Sequence, residues 1–298
     1  MPSRPRADLM VAPLFVVLWS TGFIGAKLGL PHAEPLTFLT LRYALVVVLI
    51  GAWVALSSAR PLTLRQAADA ALIGVLIHAV YLGGVFTAIS LGTEAGMAAL
   101  IVGLQPIVTA LIARRMLGER LTPLQWAGMA VGVAGVALVV ARKLGDGVGD
   151  WRGVALCMVS LVTIAIASIL QKTRAADHPM RAATLVQFAA ATVATAPFAL
   201  MFESNRIDWT GEFVFALGWL VLVLSVGAVT LLYILIRRGA ASNVASLFFL
   251  VPASTALIAW ALFGETLTPV ELAGVAATAL GVLMVNRPAL FRRLLGRG

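Results

Sequence analysis

Residues Leu104–Val139 read LQPIVTALIARRMLGERLTPLQWAGMAVGVAGVALV, and residues Leu250–Val285 read LVPASTALIAWALFGETLTPVELAGVAATALGVLMV. Laid over one another at a shift of 146 positions, without a gap, they agree at 18 of 36 places, far above chance. Pro106 falls on Pro252, Thr109–Ala113 on Thr255–Ala259, and Gly118-Glu119 on Gly264-Glu265. Leu121-Thr122-Pro123 falls on Leu267-Thr268-Pro269, Ala127-Gly128 on Ala273-Gly274, and Gly135-Val136 on Gly281-Val282. The same shift brings His32 over His178. The chain is therefore read as an internal duplication, with one copy in residues 1–146 and the second in residues 147–298.

Composition says what is duplicated. Of 298 residues, 61% are hydrophobic and 12% charged, and the mean hydropathy is +0.99. Soluble domains are about 45–50% apolar and about 25% charged. That excess excludes a soluble enzyme, a nucleic-acid-binding domain and a disordered chain. A membrane-spanning helix takes about 20 apolar residues. The apolar runs give ten of them: Leu9–Leu30, Leu36–Leu56, Ala67–Leu91, Ala95–Leu117, Leu124–Ala141, Val154–Leu170, Ala182–Phe202, Phe213–Ile236, Val244–Phe263 and Val270–Asn286. They lack the two-residue alternation of a β-barrel. Arg4 and Arg6 ahead of the first run suggest a signal peptide, but that run is long enough to span and has a counterpart in the second copy, so it reads as a retained helix.

Each copy then holds five spans. Five is odd, so the second copy crosses in the opposite sense, the inverted-repeat arrangement of many secondary transporters. The expected fold is an all-α integral membrane protein with ten transmembrane helices in two inverted five-helix repeats. The net charge of +9 comes from basic residues that punctuate the apolar runs, not from a nucleic-acid-binding patch. With both termini cytoplasmic, 16 Lys and Arg fall on inner segments and 5 on outer ones, while Arg42 lies inside the second span. The reading is a multi-pass membrane protein.

The repeated block, with Gly-Glu-x-Leu-Thr-Pro and the Ala-Gly that follows, resembles the EamA half of the drug/metabolite transporter superfamily. Trp19-Ser20-Thr21-Gly22-Phe23 resembles the start of that family's first span, and Pro35 through Arg42 its second-span opening. The resemblance covers nearly the whole chain. It implies ten helices, an inner-membrane location and metabolite export. Within the family, His78 and Tyr81 are similar to an exporter of aromatic and other neutral amino acids.

Several residues are candidates for the chemistry. His78 and Tyr81 are three apart, on one face of the third helix; Val85 extends it, and Gly83-Gly84 admit a close neighbour. Trp19, Ser20 and Phe23 give the first helix a similar polar and aromatic spot. Gln105, Ser168, Tyr233 and Ser246 add hydrogen-bonding groups, so the expected substrate-binding set is Trp19, Ser20, Phe23, His78, Tyr81, Gln105, Ser168, Tyr233 and Ser246. Such a cavity suits a zwitterion with an apolar side chain, held by hydrogen bonds and stacking. Pro106 and Pro252 sit at matched mid-span positions, where proline removes a helical hydrogen bond, and are read as a gating pair. Lys27 and Arg42 lie near the outer ends of their spans, able either to steer a carboxylate or to snorkel; Lys27 reads as snorkelling and Arg42 is open.

Other features read as structural. Thr122-Pro123-Leu124-Gln125 and Thr268-Pro269-Val270-Glu271 match the helix-start capping box, which places Glu119 and Glu265 in tight interfacial loops. Trp53, Trp126, Trp151 and Trp209 near span ends are interface anchors. Gly128-x-x-x-Gly132 and Ala277-x-x-x-Gly281 allow close helix packing, within one chain or across a dimer seam, and a monomer suffices. No carboxylate falls at mid-span, which disfavours a proton-coupled multidrug antiporter built on a buried Glu. Three scattered His and a lone Cys157 give no metal site, no cofactor is implied, and no nucleophile–base pair can be assembled. The expected partners are a small solute, foremost neutral amino acids, and the lipid bilayer. The rival readings are export of a nucleoside or a drug-like cation, and a membrane-embedded lipid enzyme.

Overall fold

The computed structural model describes residues 6–57, 60–117, 121–147, 149–228, 231, 250–265 and 268–286. In chain order the helices are α1 (Arg6–Gly29), α2 (Pro35–Ala55), α3 (Leu64–Ser90), α4 (Ala95–Val102 and Gln105–Leu117) and α5 (Pro123–Gly145). There follow α6 (Trp151–Arg174), α7 (Met180–Phe202), α8 (Gly211–Gly218, continued by Trp219–Ala228), α9 (Leu250–Phe263) and α10 (Pro269–Asn286). Among the described residues the only extended pairing is a bridge between Ala33 and Ile207. The helices α2 to α7 are each long and apolar enough to cross a bilayer, and the apolar stretches of α1, α8, α9 and α10 are shorter. The expected eighth and ninth spans run on into residues 232–249, which lie outside the described residues.

Local chemistry sets the helix starts. Thr63 accepts from the Gln66 amide while the Gln66 side chain accepts from the Thr63 amide, and Thr122 with Gln125 and Thr268 with Glu271 repeat that reciprocal cap. Pro35, Pro123 and Pro269 each open a helix, where a missing N–H costs nothing. Two starts are capped by the other half of the chain. The Glu203 carboxylate accepts from the Leu36 and Thr37 amides at 2.8 and 2.7 Å, and Glu265 accepts from the Ala95 and Gly96 amides at 3.0 and 3.2 Å. These are orphan donors at helix N-termini, where a negative charge is also favoured by the helix dipole.

The helices pair as a two-fold relation between the copies requires. Under the shift of 146, α1 corresponds to α6, α2 to α7, α3 to α8, α4 to α9 and α5 to α10. The contact of α1 with α9 has its counterpart in α6 with α4, and that of α3 with α6 in α8 with α1. Of the self-related pairs, α5 with α10 makes the most extensive contacts in the bundle, and α2 with α7 also pack closely. In the α5–α10 seam a Cβ on Gly128 would come within 2.7 Å of the Gly281 carbonyl, and one on Gly135 within 2.6 Å of the Gly274 carbonyl. The small-residue faces expected from sequence therefore pack within one chain. Gly103 meets Pro252 in the same way, at 2.7 Å from a would-be Cβ to the proline Cγ.

Two features depart from regular α-helix. Val75–Leu82 of α3 and Trp219–Ala228 of α8 are wound as π-helix, and the shift carries residues 75–82 onto 221–228. The expected face of His78 and Tyr81 therefore lies on a wider turn than an α-helix gives. In α4 the helix breaks at Gly103-Leu104 and restarts at Gln105, so Pro106 stands in the first turn of a new segment rather than inside a continuous helix. Pro252 is buried near the start of the described part of α9.

Gly128→Leu or Gly281→Leu should lower the melting temperature of the detergent-purified protein, since overfilling a packed contact typically costs about 1–3 kcal/mol. Gly145→Ala, where nothing lies within 4 Å of a Cβ, should leave it unchanged.

Candidate functional site

A cavity of about 110 Å³ lies where the two copies meet. From the first copy α1 lends Trp19, Gly22 and Phe23, α2 lends Arg42, and α3 lends Ile77, His78, Tyr81, Leu82, Val85 and Phe86. From the second copy α7 lends Phe188, and α8 lends Leu224 and Ser225. Both π-helical segments therefore contribute to one wall. A π turn is wider than an α turn and recurs at functional sites. Side chains bond to carbonyls of both segments. The Tyr43 hydroxyl donates to the His78 carbonyl at 2.7 Å, Ser160 to the Tyr81 carbonyl at 2.9 Å, and Ser225 to the Leu220 carbonyl at 3.0 Å.

The lining is aromatic with a few polar groups, the composition of a small-molecule site. His78 stacks on Phe188 with ring centres 4.1 Å apart and an interplanar angle of 23°, and both lie against the buried Tyr43. Arg42 is 4% exposed and donates from Nη2 to Ser225 at 3.3 Å. Among the described residues no Asp or Glu lines the cavity.

Of the residues singled out in the sequence, Trp19, Phe23, His78 and Tyr81 converge on this cavity. Ser20, Gln105 and Ser168 do not. Ser20 is fully buried and donates to the Val16 and Val251 carbonyls, tying α1 to itself and to α9. Gln105 donates to Ser168 at 2.7 Å and Ser168 to the Ile164 carbonyl, so this pair joins α4 to α6. Polar groups in apolar surroundings bond to partners on their own or neighbouring helices, which accounts for these three without a solute. Tyr233 and Ser246 lie outside the described residues. Sequence reasoning missed Phe188 and Ser225 and left Arg42 open. The shift of 146 could have found Phe188, because it sets Phe188 directly on Arg42.

One end of the bundle carries a charged lattice. Lys27 pairs with Glu265 at 2.6 Å and sits 4.6 Å from the Phe263 ring centre. Lys143 is buried between Glu94 at 2.5 Å and Glu271 at 3.0 Å. Burial holds the Glu94 carboxyl above the usual carboxylate range, against the pull of Lys143. Lys27 is thus an ion-pair partner rather than a snorkelling side chain, and Glu265 is a buried cap between helices rather than a loop residue alone. The loops assigned to the outer side by the Lys and Arg count gather at this end, where Glu34 also binds Ser204. At the opposite end Arg174 meets Asp69 at 3.4 Å, and Arg181 lies 4.2 Å from the Trp53 ring centre.

An apolar bundle of this kind, with an aromatic cavity closed in by both copies, defines a multi-pass membrane transporter rather than an enzyme. The chain belongs to the EamA-like transporter family, whose model matches residues 8–141 and again 151–287. It is 26% identical over 270 residues to the uncharacterized inner membrane transporter YedA of Escherichia coli K12, covering 91% of this chain and 87% of that protein. It is 29% identical over 288 residues to a probable amino-acid metabolite efflux pump of Salmonella typhimurium, covering 93% and 94%. It is also 29% identical over 294 residues to a probable terminal-alkyne amino-acid exporter of Streptantibioticus cattleyicolor, covering 94% and 93%. A solved crystal structure shares the fold, with a TM-score of 0.68 at 20% identity, covering 98% of this chain and 99% of its own.

Glu265→Gln should remove the charge that holds Lys27 and leave one carbonyl oxygen to cap either Ala95 or Gly96. In a Cys157→Ala background with a cysteine at Met97, beside this lattice, the variant should react faster with a bulky thiol reagent in detergent. Equal rates would show that the ion pair does not close this end.

Proposed function

We propose that the protein is a secondary transporter that exports small neutral metabolites, foremost amino acids including aromatic ones, by alternating access. Ten spans form the two inverted repeats, residues 1–146 and 147–298, in the bacterial inner membrane, with both termini in the cytoplasm and a monomer as the working unit. The observation that carries this reading is the aromatic cavity enclosed by α1, α2 and α3 of one copy and α7 and α8 of the other. A site at the interface of inverted repeats is exposed to either side when one half rocks against the other. The names of two relatives, an amino-acid metabolite efflux pump and an amino-acid exporter, support the substrate class.

Within this reading Trp19, Phe23, Tyr81 and Phe188 supply stacking surface, and His78 and Ser225 supply hydrogen bonds. The matched prolines Pro106 and Pro252 serve as the hinge pair. The charged lattice closes the outer end and parts when that end opens.

Reconstituted protein should take up labelled phenylalanine in preference to nucleosides and organic cations. Absence of amino-acid uptake, with robust uptake of a cation, would overturn the substrate class. Tyr81→Ala should weaken half-saturation by an aromatic solute roughly two- to tenfold, the equivalent of a lost stacking contact of about 0.5–1.5 kcal/mol. Ser168→Ala, outside the cavity, should leave it unchanged.

Orientation has its own test. Single cysteines at Gly147 and at Asp177, in the Cys157→Ala background, should label from outside the cell and only after permeabilisation, respectively. The reverse pattern would overturn the orientation, and labelling of both from one side would overturn five spans per copy.

A further inference from the structure

Arg42 stands about seven residues into α2, about 10 Å along the helix at 1.5 Å per residue, deep enough to be enclosed by protein. It is 4% exposed and lines the cavity. Its Nε is buried without a hydrogen-bond partner, and among the described residues it pairs with no carboxylate. Its contacts are one long hydrogen bond to Ser225 at 3.3 Å and the Tyr43 ring, 6.0 Å from the guanidinium carbon. The other buried cation among the described residues is treated differently: Lys143, equally enclosed, has two carboxylates.

A guanidinium does not shed its charge, so it needs an anion. Buried charges inside membrane proteins pair with one another or mark the path of a solute. Here the described residues supply no anion and the cavity supplies space. Five N–H groups in a planar fork match the two oxygens of a carboxylate, and one of the five is used on Ser225. The Nδ1 of His78, on the same cavity, is also buried without a partner.

We infer that Arg42 binds the carboxylate of the transported solute, whose apolar body lies against Trp19, Phe23, Tyr81 and Phe188. This rests on the reading of the cavity as the transport site and narrows its ligand. Among the described residues the lining holds no Asp or Glu, so an ammonium group finds no charge partner among them. The site selects for the acid: it takes amphiphilic monocarboxylates, of which apolar amino acids are one subset. Phe188, which occupies the position of Arg42 in the second copy, gives the cavity a charged side and an apolar side.

The test measures binding to detergent-purified protein by scintillation proximity with labelled phenylalanine and labelled 3-phenylpropionate, and uptake of both into liposomes. Unlabelled phenylalanine, 3-phenylpropionate, phenylalaninamide and phenethylamine serve as competitors. The two acids should compete, and the amide and amine should be at least about tenfold weaker, as expected from loss of a hydrogen-bonded charge pair. Arg42→Gln should weaken both acids about tenfold or more and level the four competitors, and Arg42→Lys should fall between. Melting temperatures identify any variant that misfolds. Should Arg42→Gln misfold, Arg42→Lys and the competitor ranking of the native protein still decide. Phenethylamine competing as well as phenylpropionate, or Arg42→Gln keeping the preference for acids, overturns the inference. Phenylpropionate bound through Arg42 without uptake of any amino acid would overturn the proposed function and leave the inference standing.

Discussion

Gly128 against the Gly281 carbonyl and Gly135 against the Gly274 carbonyl are one contact made twice. The shift of 146 turns Gly128 into Gly274 and Gly135 into Gly281, so each partner of the first contact is the repeat image of a partner of the second. Such a reciprocal pair fixes a two-fold axis between α5 and α10. The backbones must touch there because lipid offers no hydrophobic drive for helices to associate; what remains is close packing, and glycine lets it happen. A side chain at any of these points would separate the seam. The remaining pairs then follow from the axis: α2 on α7 across it, α1 on α9 and α6 on α4 on either side.

That axis also explains where the irregular backbone falls. The π-helical stretches of α3 and α8 sit at matched positions and lend residues to one cavity. The break in α4 at Gly103-Leu104 packs against Pro252 of α9. Irregular backbone at membrane depth is tolerated where protein encloses it, because freed carbonyls then find donors. Tyr43 and Ser160 are those donors for α3, and they hold the wide turn open beside the cavity.

The duplication was legible because 18 identities survive in 36 aligned positions, and the helix starts because Thr-Pro-x-Gln and Thr-Pro-x-Glu announce their own hydrogen bonds. The aromatic half of the cavity was legible from Trp19, Phe23, His78 and Tyr81. What sequence could not show is which polar residues already have partners. Gln105 and Ser168 look alike to His78 as mid-span polar groups, yet they satisfy each other at 2.7 Å, and Ser20 is consumed by backbone carbonyls. The π segments left no mark, since VLIHAVYL and WLVLVLSVGA carry the same apolar residues as an α-helical span. Phe188 looked like one packing residue among many until the fold set it against His78.

Symmetry of backbone and asymmetry of side chain do different work. In the proposed transport cycle a duplicated scaffold would give two related packings for the two open states, but a solute with a carboxylate at one end needs an unsymmetrical site, and Arg42 at the cavity with Phe188 at its repeat position is unsymmetrical in that way. The end closures are unequal as well. Lys27, Glu94, Lys143 and Glu271 correspond under the shift to Thr173, Ala240, Ala289 and Gln125, so of the lattice that joins α1, α5, α9 and α10 only Glu265 has a charged counterpart, Glu119. Under the proposed alternating access the two ends would therefore be held closed by different forces. One must separate enclosed ion pairs and leave each charge to be resolvated, whereas the other lacks that lattice. The resting population is then set by the free-energy difference between those closures, and a solute shifts it only by as much as it binds one state better than the other.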